Sequence, residues 1–89
     1  MNAIITVVGK DRVGIIAAIC VKLAEYQVNV LDISQTILQG SFTMVMAVDL
    51  AGASVAFKQI ADGLKELGKD MQLSIHIQRE EIFDAMHNI

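Results

Sequence analysis

The spacing of apolar positions changes repeatedly along the chain, and each change marks an element. Residues 3–8 are almost all Ile, Val and Thr, a run too short for a stable helix and closed by Gly9, which predicts a buried strand. Beyond it the period becomes helical. Val13, Ile16, Ala17, Cys20, Leu23 and Ala24 recur on one face, with Asp11 ahead of them as N-cap, so the spacing predicts a helix over Arg12 to Gln27. A second apolar line on this helix, Ile15, Ile19 and Tyr26, is interrupted by Lys22 and calls for a further packing partner.

Val28 to Leu38 is again rich in β-branched residues and meets a turn signal at "LQGS". Phe42 to Leu50 then alternates Phe, Met, Met, Val and Leu against Thr, Val, Ala and Asp, which predicts a β-hairpin turning near Gly40. After "AGAS", Ser54 is placed to cap a second helix whose stripe is Phe57, Ile60, Ala61, Leu64 and Leu67, with Gly68 placed to stop it. Met71 to Gln78 alternates Met71, Leu73, Ile75 and Ile77 against Gln72, Ser74, His76 and Gln78, as a strand with one wet face does. The tail "REEIFDAMHNI" predicts a short terminal helix bearing Ile82, Phe83 and Met86. The sum is βαββαβ, an α+β ferredoxin-like sandwich of one four-stranded antiparallel sheet with two helices on one face. We expect one domain over residues 1–78 and a helical extension over 79–89.

Composition adds one inference. A chain of 89 residues buries only about two-thirds of its unfolded surface, yet 54% of these residues are hydrophobic and 19% charged. That excess of apolar material predicts self-association. Seven Lys and Arg against ten Asp and Glu, with the basic residues scattered, argue against a nucleic-acid partner. Exposed aromatics that would stack RNA bases are also lacking. A single cysteine, Cys20, fits a reducing interior, and no stretch approaches the roughly 20 apolar residues of a membrane span. A cytoplasmic protein without a membrane partner is the expectation.

The stretch "VVGKDRVGII" joins the first strand to the first helix. A helix N-terminus presents unsatisfied N–H donors, so a carboxylate or phosphate binds there if the backbone is accessible, and Gly14 carries no side chain to block it. The plainer alternative is that Asp11 caps the helix and Gly14 only permits close packing.

"VVGKDRVGIIAAI" followed by "NVLDISQT" resembles the ACT domain family, and within it the small stand-alone bacterial members of uncharacterised role. The likeness runs from Asn2 to about Gln78. It implies a regulatory module that binds a small ligand, often an amino acid, near the interface of a homodimer. It further implies that the loop residues Asp11, Arg12, Val13, Gly14 and Ile15, with Asn29 at the start of the second strand, form the ligand site. Amides of Gly14 and Ile15 would hold a carboxylate, and Asn29 or Asp11 would accept from an ammonium group. Many ACT loops carry proline immediately before the glycine, where this chain has Val13, which leaves the loop less rigid.

Catalysis requires a nucleophile beside a base, paired carboxylates or a metal cluster, and none is visible, so no enzyme activity, catalytic residue, metal or cofactor is expected. Cys20 reads as a buried hydrophobe, His76 and His87 lack a partnering ligand pattern, and Met44, Met46, Met71 and Met86 read first as packing. Asp32 interrupts an apolar strand and is best explained by an exposed edge. An acylphosphatase-like reading of Arg12 and Asn29 lacks its glycine-rich motif. Without an output domain, regulation would act through a partner protein. The competing reading is a dimerisation or protein-interaction module with no small-molecule ligand.

Overall fold

The computed structural model describes residues 1–81. Six elements follow in the expected order: β1 (Asn2–Lys10), α1 (Ile15–Glu25), β2 (Asn29–Leu38), β3 (Ser41–Asp49), α2 (Phe57–Met71) and β4 (Leu73–Arg79). They form one sheet of order β2-β3-β1-β4 in which every neighbouring pair is antiparallel. This is the ferredoxin-like arrangement, with β1 and β2 parallel to each other across β3. The expected terminal helix falls mainly on residues 82–89, outside the described residues.

The hairpin turns at Gln39 and Gly40, both at positive φ (52° and 80°), which matches the right-handed twist of the strands it joins. The alternation read along β3 is the observed one: Phe42, Met44, Met46 and Val48 are buried. Through the pairing register they sit beside Val7, Ile5 and Ala3 of β1, which completes the helix-facing side of the sheet. Ile60 and Leu64 of α2, and Leu73 and Ile75 of β4, close the other half of the core.

Six local expectations are corrected. The first helix begins at Ile15, not Arg12, and its N-cap is Gly14 at φ 92°, with no side-chain hydrogen bond; Asp11 is no cap. Its buried residues are Ile15 and Ile19 of the line taken as secondary and Leu23 of the line taken as primary, with Ile16 and Cys20 packed partly against the core. The stripe taken as primary faces outward at Val13, Ala17 and Ala24, and Cys20 is only half-buried. Both lines satisfy a helical period, and only the seat of the helix on the sheet decides which of their positions are buried.

On α2, the N-cap is Ala56, and the Ser54 backbone N–H instead donates to the Tyr26 carbonyl at 2.9 Å. Gly68 lies inside the helix rather than after it. The reversal occurs at Gln72 (φ 58°), and β4 consequently starts at Leu73 instead of Met71. Gly68 is needed for proximity: a methyl group built on it would lie 2.7 Å from the Leu73 carbonyl oxygen and 3.3 Å from Ile75 Cγ1. Gly63 plays the same part at the helix–helix crossing, where a side chain would run onto the Tyr26 hydroxyl. Tyr26 thus packs on α2, the further partner that its apolar line required.

Candidate functional site

The β1–α1 loop is held from two sides. Its first residue donates from the Asp11 N–H to the Gly40 carbonyl at 2.8 Å, tying the loop to the tip of the β2–β3 hairpin. At its other end, the Gly14 carbonyl accepts the first helical hydrogen bond, from the Ala18 N–H at 2.9 Å. With glycine as N-cap and no acid in the first turn, no side chain competes for the N–H groups of Ile15, Ile16 and Ala17, which have no intrahelical acceptor. Nothing lies within 4 Å of the position a Gly14 side chain would take.

Beside this turn is a cavity of about 280 Å³, lined by Asp11, Arg12, Gly14 and the first helical residues on one side and by Gln35, Ile37 and Phe42 on the other. Asp11, Arg12, Gly14 and Ile15 are therefore brought together. Val13 stands away from the cavity and is 99% exposed. Asn29 is not part of the group within one chain. It pairs with Asp49 at one end of β3, whereas the loop emerges beside Ser41 at the other, nine residues away along β2 or roughly 30 Å at the rise of a strand. The resemblance names a residue type at a strand start, and topology sends that start to the far end of the sheet.

The sequence reading missed Ile16 and Ala17 on the helix and Gln35, Ile37 and Phe42 on the sheet as lining residues. Their signal was phase: Gln35 shares the helix-facing side of β2 with Ile33 and Ile37, and these oppose Met44, Met46 and Phe42 of β3. A glutamine in an inward-phased position offers an amide to the cavity. Arg12 is exposed.

The edge strand β2 flanks the cavity. None of its ten residues is fully buried, although Leu31, Ile33, Ile37 and Leu38 are exposed at 39–70%. On α1, Val21 is also exposed. Asp32 lies on this edge as expected, and its Oδ1 accepts from the Ile33 N–H at 2.9 Å, beside the irregularity between Val30 and Asp32. At the opposite sheet edge, a groove of about 410 Å³ runs between α2 and β4. No group of metal-ligating side chains occurs among the described residues, and no described helix is long and apolar enough to cross a membrane.

The sequence profile of the ACT domain matches residues 2–78. A UPF0237 protein of Bifidobacterium longum is 55% identical over 88 residues, covering 99% of this chain and 98% of the relative. Among solved structures, an ACT domain protein from Streptococcus pneumoniae superposes with a TM-score of 0.81 at 40% identity, covering 94% of each chain. The regulatory subunit of aspartate kinase from Thermus thermophilus shares the fold, with a TM-score of 0.67 at 22% identity over 86% of this chain and 50% of that one.

Proposed function

This chain is a member of the ACT domain family, whose members are typically regulatory ligand-binding modules, and from that premise we propose that it is a cytoplasmic, non-catalytic regulator. In this reading it pairs through β2 as a homodimer and holds an amino acid or a related metabolite at the β1–α1 loop. The observation that carries it is the exposed apolar edge of β2 directly beside the loop cavity. A long apolar edge strand is a template for pairing, and a patch of this kind on a small domain marks an interface.

Antiparallel pairing of β2 with the same strand of a second copy sets the start of one strand beside the end of the other. The Asn29 of the second copy then approaches the loop end of the first. Two copies thereby assemble what one chain separates: main-chain donors at Gly14 and Ile15 for a carboxylate, and amide or carboxylate oxygens of Asn29, Gln35 or Asp11 for an ammonium group. Ile37 and Phe42 supply an apolar wall for the rest of the ligand.

Regulation follows from linkage: a ligand that binds the paired form better than the unpaired form shifts the population toward it, and a partner protein reads the change. The test combines light scattering on the purified protein with thermal denaturation against the twenty amino acids. The expected result is a dimer whose midpoint rises with one or a few of them. At 100 times its dissociation constant a ligand adds about 2.7 kcal/mol, a shift on the order of 10 °C. A strict monomer would remove the shared site, and a dimer indifferent to the whole panel would favour a dimerisation module without a ligand.

A further inference from the structure

We propose that the outer edge of β4 from Leu73 to Ile77, which no other strand pairs among the described residues, docks an acidic, extended segment of a partner protein as an added strand. This inference is independent of the loop site, since β4 and β2 are the opposite edges of the sheet.

Among the described residues no strand pairs with β4 from Leu73 to Ile77 on the side away from β1. Strand β4, "LSIHIQR", contains no proline, its only charged residue is the terminal Arg79, and its register with β1 runs from Gly9 opposite Leu73 to Ala3 opposite Arg79 without a shift. Proline, inward charge and a bulge are the usual means of blunting an edge, and β4 has none of them.

What lies beside β4 gives the partner its chemistry. The groove of about 410 Å³ is lined by the continuous run Leu73 to His76 and by Lys65 and Lys69 of α2. Gly68 allows α2 to approach the β4 backbone closely, and this approach sets both lysines along the edge. Both are exposed, and neither is in an ion pair among the described residues. The acidic residues of the same helix, Asp62, Glu66 and Asp70, do not line the groove. Among the described residues the groove is therefore lined by two lysines and by no acidic side chain.

The spacing is equally informative. Lysines four residues apart on a helix are separated by about 6 Å along its axis, and alternate residues of a strand by about 6.6 Å. Carboxylates at alternate positions of an added strand thus match Lys65 and Lys69, while its main chain pairs with β4. A second copy of this chain fits the groove less well. Two-fold pairing of β4 with itself would line one seam with both copies' lysines, and the side chains at its rim are Ser74 and His76 rather than the apolar set of β2.

The test uses the full-length ¹⁵N-labelled protein and two blocked peptides, Ser-Val-Glu-Val-Glu-Val-Ser and the same sequence with lysine for glutamate. The acidic peptide is expected to bind and to move the amides of residues 73–77. The double variant Lys65→Glu/Lys69→Glu, checked for an intact spectrum, should weaken it by about tenfold, as two partly exposed ion pairs imply, and should bind the basic peptide instead. If the charge reversal perturbs folding, Lys65→Gln/Lys69→Gln serves in its place with the same expected loss. The proposal is overturned by failure to bind, by equal binding of both peptides, by binding that ignores the lysine variants, or by shifts confined to β2. It is also overturned if β4 amides shift on raising protein concentration alone, which would assign the edge to a second copy.

Discussion

Replacing Gly68 by alanine sets two effects of known size against each other. Alanine is better than glycine in a helix interior by about 1 kcal/mol, and Gly68 is an interior position of α2. Against this, the new methyl would meet the Leu73 carbonyl oxygen at 2.7 Å and Ile75 Cγ1 at 3.3 Å. A side-chain tip could rotate away, but a backbone carbonyl in a paired strand moves only with α2 or β4. Overpacking of this kind costs about 1–3 kcal/mol, and an immovable obstacle places it toward the upper end. We expect a net loss of about 1–2 kcal/mol, which lowers the midpoint by roughly 5–15 °C in a domain of this size. Denaturant and thermal unfolding at one fixed protein concentration measure it, because the midpoint of any protein that self-associates depends on concentration.

Gly68→Asn separates this account from its rival. If Gly68 were the left-handed residue that ends the helix, asparagine would be tolerated better than alanine. In a packed interior, asparagine is worse on both size and propensity. An alanine variant as stable as the parent, or an asparagine variant more stable than the alanine one, would refute the close approach of α2 and β4.

Gly14→Ala meets no neighbour but forces alanine to a φ of 92°; a loss of about 1–2 kcal/mol in thermal unfolding, smaller for Gly14→Asn, is expected. Asp11→Ala should change stability by less than about 0.5 kcal/mol, well below the roughly 1 kcal/mol of a true N-cap, because Asp11 makes no capping bond. In the proposed β2 pairing, Ile33→Glu combined with Ile37→Glu puts like charges on the edge and should leave only monomer in light scattering, with the far-ultraviolet circular dichroism unchanged. In the same double variant, any stabilisation by an amino acid should disappear.

The sequence alone determined the element types and their order, because a strand repeats every two residues and a helix every 3.6, and because Gly40 and the alternation along β3 leave little choice of register. It also located the loop around Gly14 and the exposed position of Asp32. Three things were decided only by tertiary structure. The first was which apolar positions of α1 face inward: Ile15 and Ile19 were read on one line and Leu23 on the other, both lines keep a helical period, and the sheet buries these three while Val13, Ala17 and Ala24 stay exposed. The second was the role of Gly68, whose usual meaning as a stop gives way to contact with a strand that the local sequence does not reveal. The third was the distance between Asn29 and the loop. Antiparallel pairing of β2 and β1 with β3 sends them to opposite ends of the sheet, a consequence of long-range hydrogen bonding that local spacing does not encode.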